Sequence, residues 1–308
     1  MSVGVVVNPA AGGGRLSEAW PQLRSMLEQR LGPLSVLSTK RPGDGRDLAA
    51  QHVRNGAALV IAAGGDGTAN EVVDGLLLAG GGPELGVISV GTGRDFVRTV
   101  GGNVDLAGAV EAIGSGRTRR IDAGRVSYRD DAGQTGTRHF LNVASLGVSG
   151  PTVRAVNRSK QGRQVHGKLA FYYRTVAELF RYRPQDVRVR FDDGETVDVR
   201  TALVVAANGR YFGSGMMIAP DASIDDGQFD VLVYRAGGKL RMVLDFNLIY
   251  RGAHVSLPRV KIKRCRWVEI EPLGDPAANA AIIEVDGESP GRIPARFEVL
   301  PGALTLRA

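Results

Sequence analysis

Cysteine is almost absent from this chain. Its single thiol, Cys265 in "KIKRCRW", excludes an intrachain disulfide and fits a reducing, cytoplasmic setting. Cys265 itself reads as an inert strand residue. Long apolar runs are missing too: no uninterrupted stretch reaches the roughly 18 residues that a membrane-spanning helix needs. The opening "MSVGVVVNPAAGGG" has neither a basic segment nor a cleavage site, so no secretory leader is expected. Neither internal repeats nor a recognised nucleic-acid-binding module is seen, which removes nucleic acid from the expected partners.

What is present is an ordinary globular composition. Hydrophobic residues make up 43% of 308 residues, a length that suits two domains. The formal charge is +7, and it is concentrated. Between residues 154 and 190 stand ten basic side chains (Arg154, Arg158, Lys160, Arg163, Lys168, Arg174, Arg181, Arg183, Arg188 and Arg190) against two acids, Glu178 and Asp186. This segment alone carries more positive charge than the whole chain. Such a patch suggests an anionic surface, whether membrane, nucleic acid or acidic partner, and the lack of a recognised module sets nucleic acid aside. The plain alternative is a solvated helix face with a surface loop.

Periodicity divides the chain near residue 122. Residues 3–7, 34–37, 59–63 and 85–90 are continuous apolar runs. They alternate with helical patterns over residues 15–31, 44–55 and 68–78. Unbroken apolar strands imply a parallel sheet covered on both faces, hence an α/β doubly wound domain over residues 1–122. Beyond Asp122 the segments alternate in and out and are joined by Asp-Gly and Ala-Gly turns. One helix interrupts around residues 167–181, with Leu169, Tyr172, Tyr173, Val176, Leu179 and Phe180 at helical spacing and expected in the core. Residues 123–308 therefore read as a mainly antiparallel β-sandwich, with a C-terminal tail that can pack back on the first domain.

Three glycine-rich loops follow strands of the parallel sheet: "NPAAGGG" at residues 8–14, "GGDGTANE" at 64–71 and "GTGRDF" at 91–96. Ligands of open parallel sheets bind beyond the carboxyl ends of the strands. "GGDGT" lacks the Lys-Ser or Lys-Thr of a Walker loop, and no GxGxxG opens a helix. Its glycines let backbone N–H groups approach a ligand, and Thr68 is expected to cap the following helix, whose N-terminus favours anions. A carboxylate among phosphates is favourable when a divalent cation or a cationic side chain lies between them. Asp66 thus argues for metal-dependent phosphoryl transfer; the plain alternative is a tight turn with a locally capping Asp.

The stretch "GGDGTANEVVDGL", followed by "LGVISVGTGRDFVRTVG", resembles the catalytic domain of the diacylglycerol kinase family, which sphingosine and ceramide kinases share. "NPAAGGGR", "MIAPDASIDDGQFDVLV" and "EVDGE" resemble its other motifs in the same order, and the likeness covers nearly the whole chain. The resemblance implies a cytoplasmic, peripherally membrane-associated lipid kinase with ATP as co-substrate and Mg²⁺ as cofactor. An N-terminal ATP-binding domain and a C-terminal lipid-binding domain would flank the active site. ATP would be held by Asn8, Pro9, Ala10, Ala11 and Gly12, by Thr39, by Gly65, Asp66, Gly67, Thr68, Ala69, Asn70 and Glu71, and by Thr92. Asp66 and Asp95 would join a polar network around phosphates and metal, with Asp122 as a third acid. In "SIDDGQ" a structural magnesium would be bound at Ser223, Asp226 and Gln228, hard oxygen donors that suit it; a plain Asp-rich turn is the alternative.

The same resemblance makes Glu288 the general base that takes the lipid hydroxyl's proton, with Asp286 beside it. Residue types alone do not choose between the two acids, and Asp-Gly is also an ordinary hairpin turn. Two positions depart from the family pattern: Gly13 stands where a Lys is common, and Arg94 replaces Asn in "GTGNDF". Either Arg15 or Arg94 is a candidate to restore the positive charge. The expected lipid is diacylglycerol, with a sphingoid base or another lipid alcohol as alternatives. NAD kinase and a catalytically degenerate binding protein are the rival readings. Whether the chain forms a homodimer is open.

Overall fold

The first strand, β1 (Val3–Val7), reads VGVVV and is buried at every position, as is β3 (Leu59–Gly64). Strands without a polar face need cover on both sides, and helices provide it. A computed structural model describes residues 2–91, 93–102, 105–161, 168–275 and 279–307; for residues 159–161 and 168–174 it describes the backbone only.

The first compact unit comprises residues 1–123, 139–141 and 301–308. In it α1 (Arg15–Leu31), β2 (Leu34–Ser38), α2 (Asp44–Arg54), α3 (Asp66–Leu78), β4 (Glu84–Ser89), α4 (Asp95–Thr99) and α5 (Leu106–Gly114) alternate with β1 and β3. The strands run parallel in the order β2-β1-β3-β4. Leu16, Leu23 and Leu27 of α1 join Ala109, Val110 and Ile113 of α5 over Val3, Val5 and Ile61 on one face. On β1's remaining glycine, Gly4, the ring of His52 from α2 fills the place of a side chain. This α/β architecture is the one expected, and it gathers the strand ends that carry all three glycine loops.

The second unit comprises residues 124–138 and 142–300. Its elements are the outer part of β5 (Thr118–Arg129), most of β6 (Thr135–Phe140), β7 (Val143–Gly147), α6 (Ser149–Gln161), α7 (Lys168–Arg181), β8 (Gln185–Phe191) and β9 (Thr196–Ala207). They continue with the short pair β10 (Tyr211–Phe212) and β11 (Met216–Met217), then β12 (Phe229–Arg235), α8 (Lys239–Ile249), β13 (Val260–Cys265), β14 (Trp267–Pro272), β15 (Ile283–Val285) and β16 (Arg292–Arg307). β9 pairs antiparallel with β7, β8 and β12. β13 continues from β12, β14 from β8, β16 from β14, and β15 from β7, all antiparallel. Leu203, Val205 and Leu232 of this sheet pack under Leu179 of α7 and Met242, Phe246 and Ile249 of α8. β16 leaves this unit at Leu300, and Leu306 runs parallel opposite Leu85 of β4 in the first unit.

The antiparallel sandwich matches expectation, but it carries more helix. Besides α7 there are α6 and α8. In α8 the buried Met242, Asp245, Phe246 and Ile249 repeat at helical spacing, a period obscured by the strand-like segments around it. Phe180, expected in the core, is exposed, whereas Leu179 is buried and Val176 packs against the core. Over its described side chains, α7 therefore turns a narrower stripe inward than its sequence pattern suggests. Leu169, Tyr172 and Tyr173 lie outside the described side chains. Among the described residues no helix is long and apolar enough to cross a membrane.

Candidate active site

The first loop is tied to the second through Asn8. Its N–H donates to the Ala63 carbonyl (2.9 Å), and its Nδ2 donates to Thr68 Oγ1 (3.0 Å). Its Oδ1 accepts the Ala10 N–H (3.1 Å), and the Asn8 carbonyl accepts the Ala11 N–H (3.0 Å), so Pro9 to Gly12 form a tight loop. Arg15 braces that loop: Nε donates to the Gly12 carbonyl (2.8 Å) and Nη2 to the Val90 carbonyl (3.3 Å). The Arg15 cation is thus held by main-chain oxygens of the first loop and of Val90, the residue before the third loop.

In the second loop α3 starts at Asp66, with Gly65 as N-cap and no side-chain cap. Thr68 does not cap this helix as expected. It sits one turn in, buried against Gly64, with its hydroxyl accepting from Asn8. A side chain at residue 64 would collide with Thr68, so the close approach demands glycine there. The first-turn N–H groups of α3 keep their usual capacity for an anion. Ala69 and Asn70 are buried, and Gly67 is exposed.

Asp66 is half-buried. Burial pushes its carboxyl above the usual carboxylate range, while the N–H groups of Phe96, Arg94 and Asp95 and the charge of Arg98 pull the other way. Those three N–H groups form the N-terminus of α4, so Asp66 caps a helix from the third loop. Gly93 lies so close that a Cβ there would stand 2.5 Å from Asp66 Oδ2. Arg94 occupies a left-handed conformation (φ 55°), and its Nε donates to the Gly91 carbonyl (3.2 Å). Asp95 is buried at the start of α4. Thr92 lies outside the described residues.

Glu71 faces a different helix end. Its two carboxylate oxygens accept the N–H groups of Gly43 (2.8 Å) and Gly45 (2.9 Å) at the start of α2. Asp44 Oδ2 takes those of Lys40 (2.8 Å) and Arg41 (3.0 Å). Thr39, whose N–H donates to the Val7 carbonyl (2.8 Å), opens this braced loop. Asp122 is buried on β5, and its carboxylate accepts the Gly302 N–H (2.6 Å).

In the second unit, residues 285–288 make a two-residue hairpin turn. Val285 and Glu288 exchange backbone hydrogen bonds (2.8 and 2.9 Å) across Asp286 (φ 42°) and Gly287 (φ 89°), the pair of positive φ values that Asp-Gly suits. Asp286 Oδ1 accepts the N–H groups of Val143 (2.9 Å) and Asn142 (3.2 Å), which fixes that carboxylate to the start of β7. Glu288 is exposed. Beneath the turn lies Glu284, which the sequence reading passed over. It is buried on β15, with Oε1 accepting the Gly287 N–H and Oε2 the Ser145 hydroxyl, both at 2.6 Å. Burial, with the nearby Asp286 and Glu288 charges, pushes its carboxyl up to about 7 against these two hydrogen bonds. The signal was legible: one acid inside the apolar run "AAIIEV" must find partners or a proton.

The "SIDDGQ" loop presents hard oxygen donors. Asp226 Oδ1 accepts the Gln228 N–H (3.0 Å), and Ser223 donates to Asp225 Oδ1 (2.6 Å). Arg264 pairs with Asp226 Oδ2 (3.0 Å) and Asp230 Oδ1 (3.1 Å) and donates to the Asp221 carbonyl (3.4 Å). The donor chemistry of Asp226 and the Ser223 and Gln228 carbonyls fits a hard dication. Arg264 supplies a competing positive charge, and among the described residues no His, Cys, Asp and Glu gather in a metal-binding group of three or more.

The basic stretch is partly neutralised within the second unit. Arg188 makes a two-point pair with Asp198 (2.7 and 2.7 Å), Arg190 approaches Glu269 (3.5 Å), and Arg181 approaches Glu178 (3.4 Å). Arg154 donates to Ser289 Oγ (3.0 Å). The expected excess therefore overstates the charge shown to solvent, because cross-strand acids lie outside the sequence window. Cys265 is buried, and burial pushes its thiol up to about 12, consistent with an inert strand residue.

A parallel sheet with glycine loops at its strand ends, joined to an antiparallel sandwich carrying an acidic hairpin turn, is the architecture of a nucleotide-dependent kinase of the NAD kinase and lipid kinase type. The chain belongs to the diacylglycerol kinase family: residues 2–126 match the diacylglycerol kinase catalytic domain and residues 142–308 match the YegS C-terminal NAD kinase beta sandwich-like domain. A diacylglycerol kinase of Mycobacterium tuberculosis (strain ATCC 25618 / H37Rv) is 30% identical over 98% of this chain and 93% of its own. One from Staphylococcus saprophyticus is 27% identical over 95% of this chain and 90% of its own. A crystal structure of a diacylglycerol kinase from Bacillus anthracis str. Sterne superposes with a TM-score of 0.74 at 23% identity, covering 99% of this chain and 96% of that one.

Proposed function

We propose that the protein transfers the γ-phosphate of ATP, with Mg²⁺, to the free hydroxyl of diacylglycerol, giving phosphatidic acid. The observation that carries this reading is that the family match over residues 2–126 and 142–308 coincides with an intact set of motif acids, Asp66, Asp95 and Glu288. The reading gives nucleotide binding to the braced loops of the first unit, through Asn8 to Gly12, Thr39, Gly65 to Glu71, and Thr92. Magnesium supplies charge neutralisation on the phosphates when bound. Asp66 and Asp95 are the acids assigned to that polar network, with Asp122 as a third, and Ser223, Asp226 and Gln228 to a structural cation.

Glu288 is assigned the base. It is exposed, whereas the Asp286 carboxylate is engaged by two backbone N–H groups. As the lipid oxygen bonds to the γ-phosphorus, the bond to the bridging oxygen breaks, ADP leaves, and the hydroxyl proton passes to Glu288. The substrate sits in a bilayer, so the protein works in the cytoplasm at an anionic membrane surface. The basic excess of residues 154–190 supports that placement, with Arg158 and Arg183 on its exposed part.

The test is transfer of labelled phosphate from ATP to a panel of diacylglycerol, sphingoid base and NAD, with and without Mg²⁺. Diacylglycerol labelling that needs Mg²⁺ supports the reading. Labelling of NAD alone, or of no acceptor, overturns it.

A further inference from the structure

Glu284 is a buried carboxyl group that the proposed transfer step does not use, yet it touches the turn on which that step depends. We infer that Glu284 is a positioning residue for the 285–288 turn, holding the Gly287 peptide so that Glu288 is presented in one orientation. The inference rests on the reading of Glu288 as the base.

The turn is fixed at several points, and Glu284 provides the one that can change. Asn157 of α6 donates to the Gly287 carbonyl (3.0 Å), and the Glu284 carboxylate accepts the Gly287 N–H (2.6 Å). Gly287 is therefore held on both sides: Glu284 fixes the peptide that precedes it, and Asn157 fixes the peptide that joins it to Glu288. Asp286 is anchored separately to Asn142 and Val143. The other Glu284 oxygen meets the Ser145 hydroxyl of β7, which lies 2.8 Å from the Ser149 hydroxyl at the start of α6. Two hydroxyls in a row can serve either protonation state. With Glu284 ionised, Ser149 donates to Ser145 and Ser145 to the carboxylate. With Glu284 protonated, the acid donates to Ser145 and the chain reverses.

These states are not equivalent for the turn. An ionised carboxylate makes the stronger bond to the Gly287 N–H. It also sets a negative charge behind Glu288, which makes that side chain a better proton acceptor. Among the described residues the charges that act on Glu284 are Asp286 and Glu288 on its own hairpin, and Arg154 of α6 reaches Ser289 (3.0 Å), one residue beyond Glu288. From β7 the Ser145 hydroxyl meets it, Ser145 being its cross-strand partner. Burial leaves Glu284 balanced between its two states close to neutral pH. Turnover therefore rises with pH as Glu284 ionises, in addition to any rise from the base itself.

The experiment compares kcat against pH for the wild type, Glu284→Gln, Glu284→Ala and Glu288→Gln. Gln keeps an acceptor for Gly287 and a donor for Ser145 but cannot ionise. The expected result is that Glu284→Gln folds, keeps KM for ATP within about twofold, and loses the rise in kcat near neutral pH. Glu284→Ala should lower kcat by about tenfold or more at every pH, since a base moved by a fraction of an ångström loses alignment. A Glu284→Gln profile that superimposes on the wild type overturns the inference, as does wild-type kcat in Glu284→Ala. The amide shift of Gly287 gives a readout without turnover: it should titrate near neutral pH in the wild type and in Glu288→Gln, and stay flat in Glu284→Gln. Failure of the base reading shows instead as activity retained by Glu288→Gln, which leaves the Gly287 titration intact.

Discussion

Asp66 caps the helix that Asp95 begins: the second loop's carboxylate accepts the N–H groups that open α4 in the third loop. The positive end of that neighbouring helix offsets part of the burial cost of a negative charge in a phosphate-type turn, without cancelling it. Asp66→Asn keeps one acceptor and loses the charge. Asn caps about as well as Asp, and burial already disfavours the charged carboxylate, so stability should change little. If the carboxylate also serves the metal-bound phosphates, kcat/KM for ATP should fall about 10²-fold or more. Urea unfolding and initial rates at varied Mg²⁺ separate folding from catalysis; unchanged kinetics would leave Asp66 as a cap alone.

Glu71 does for α2 what Asp66 does for α4. Removing it in Glu71→Ala leaves the Gly43 and Gly45 N–H groups without their acceptor and loosens the loop that begins at Thr39. The expected outcome is about 1 kcal/mol lower stability together with a several-fold higher KM for ATP. Calorimetry and steady-state kinetics check it. An unchanged KM would remove the Thr39 loop from nucleotide binding.

Arg264 neutralises the acids of the 221–230 loop. Arg264→Ala should lower the unfolding midpoint by several degrees, because buried Asp230 loses its counter-charge. Added Mg²⁺ should then raise that midpoint more in the variant than in the wild type, since a hard dication takes the vacated positive position. Thermal unfolding with EDTA and with Mg²⁺ measures both. Equal responses to Mg²⁺ would mean that Asp226 does not bind the cation.

Glu284 links stability to pH with a definite sign. Its carboxyl is raised from 4.5 to about 7 in the folded protein. The folded state therefore favours the protonated form: the associated stability is complete below pH 4.5 and is lost as pH rises through 7. Glu284→Gln removes that loss. The stability difference between variant and wild type should shift in the variant's favour by about 3 kcal/mol from pH 4 to pH 8, read from denaturant midpoints across that range. A constant difference would place the Glu284 titration elsewhere.

The first unit was the more legible half of the chain. Runs such as "VGVVV" and "LVIAAG" can only be doubly covered strands, and glycine at residues 64 and 93 marks close approaches that sequence spacing already implies. The second unit was less legible because antiparallel alternation and short helices share apolar residues; α8 and the exposed Phe180 were lost in that overlap. At the candidate site the motif residues were readable, but their partners were not. Nothing near Asp66 in sequence announces that its carboxylate faces Phe96. Arg264 meets Asp226 only through the pairing of β12 with β13. Glu284 was visible as a lone acid among apolar residues, yet its meaning came only with Ser145, which lies on β7.

The path of β16 has a kinetic consequence. Residues 301–308 complete the first unit, and residues 139–141 belong to it as well, although the intervening stretches build the second. During synthesis the early βα repeats must wait, with the edge of β4 open, until a partner more than 200 positions away emerges, as the pairing of Leu85 with Leu306 shows. Closing so long a loop is slow and leaves an unpaired edge exposed to intermolecular pairing. The first unit is therefore completed only after the second has been made, and cutting the chain after residue 123 should leave an aggregation-prone first half.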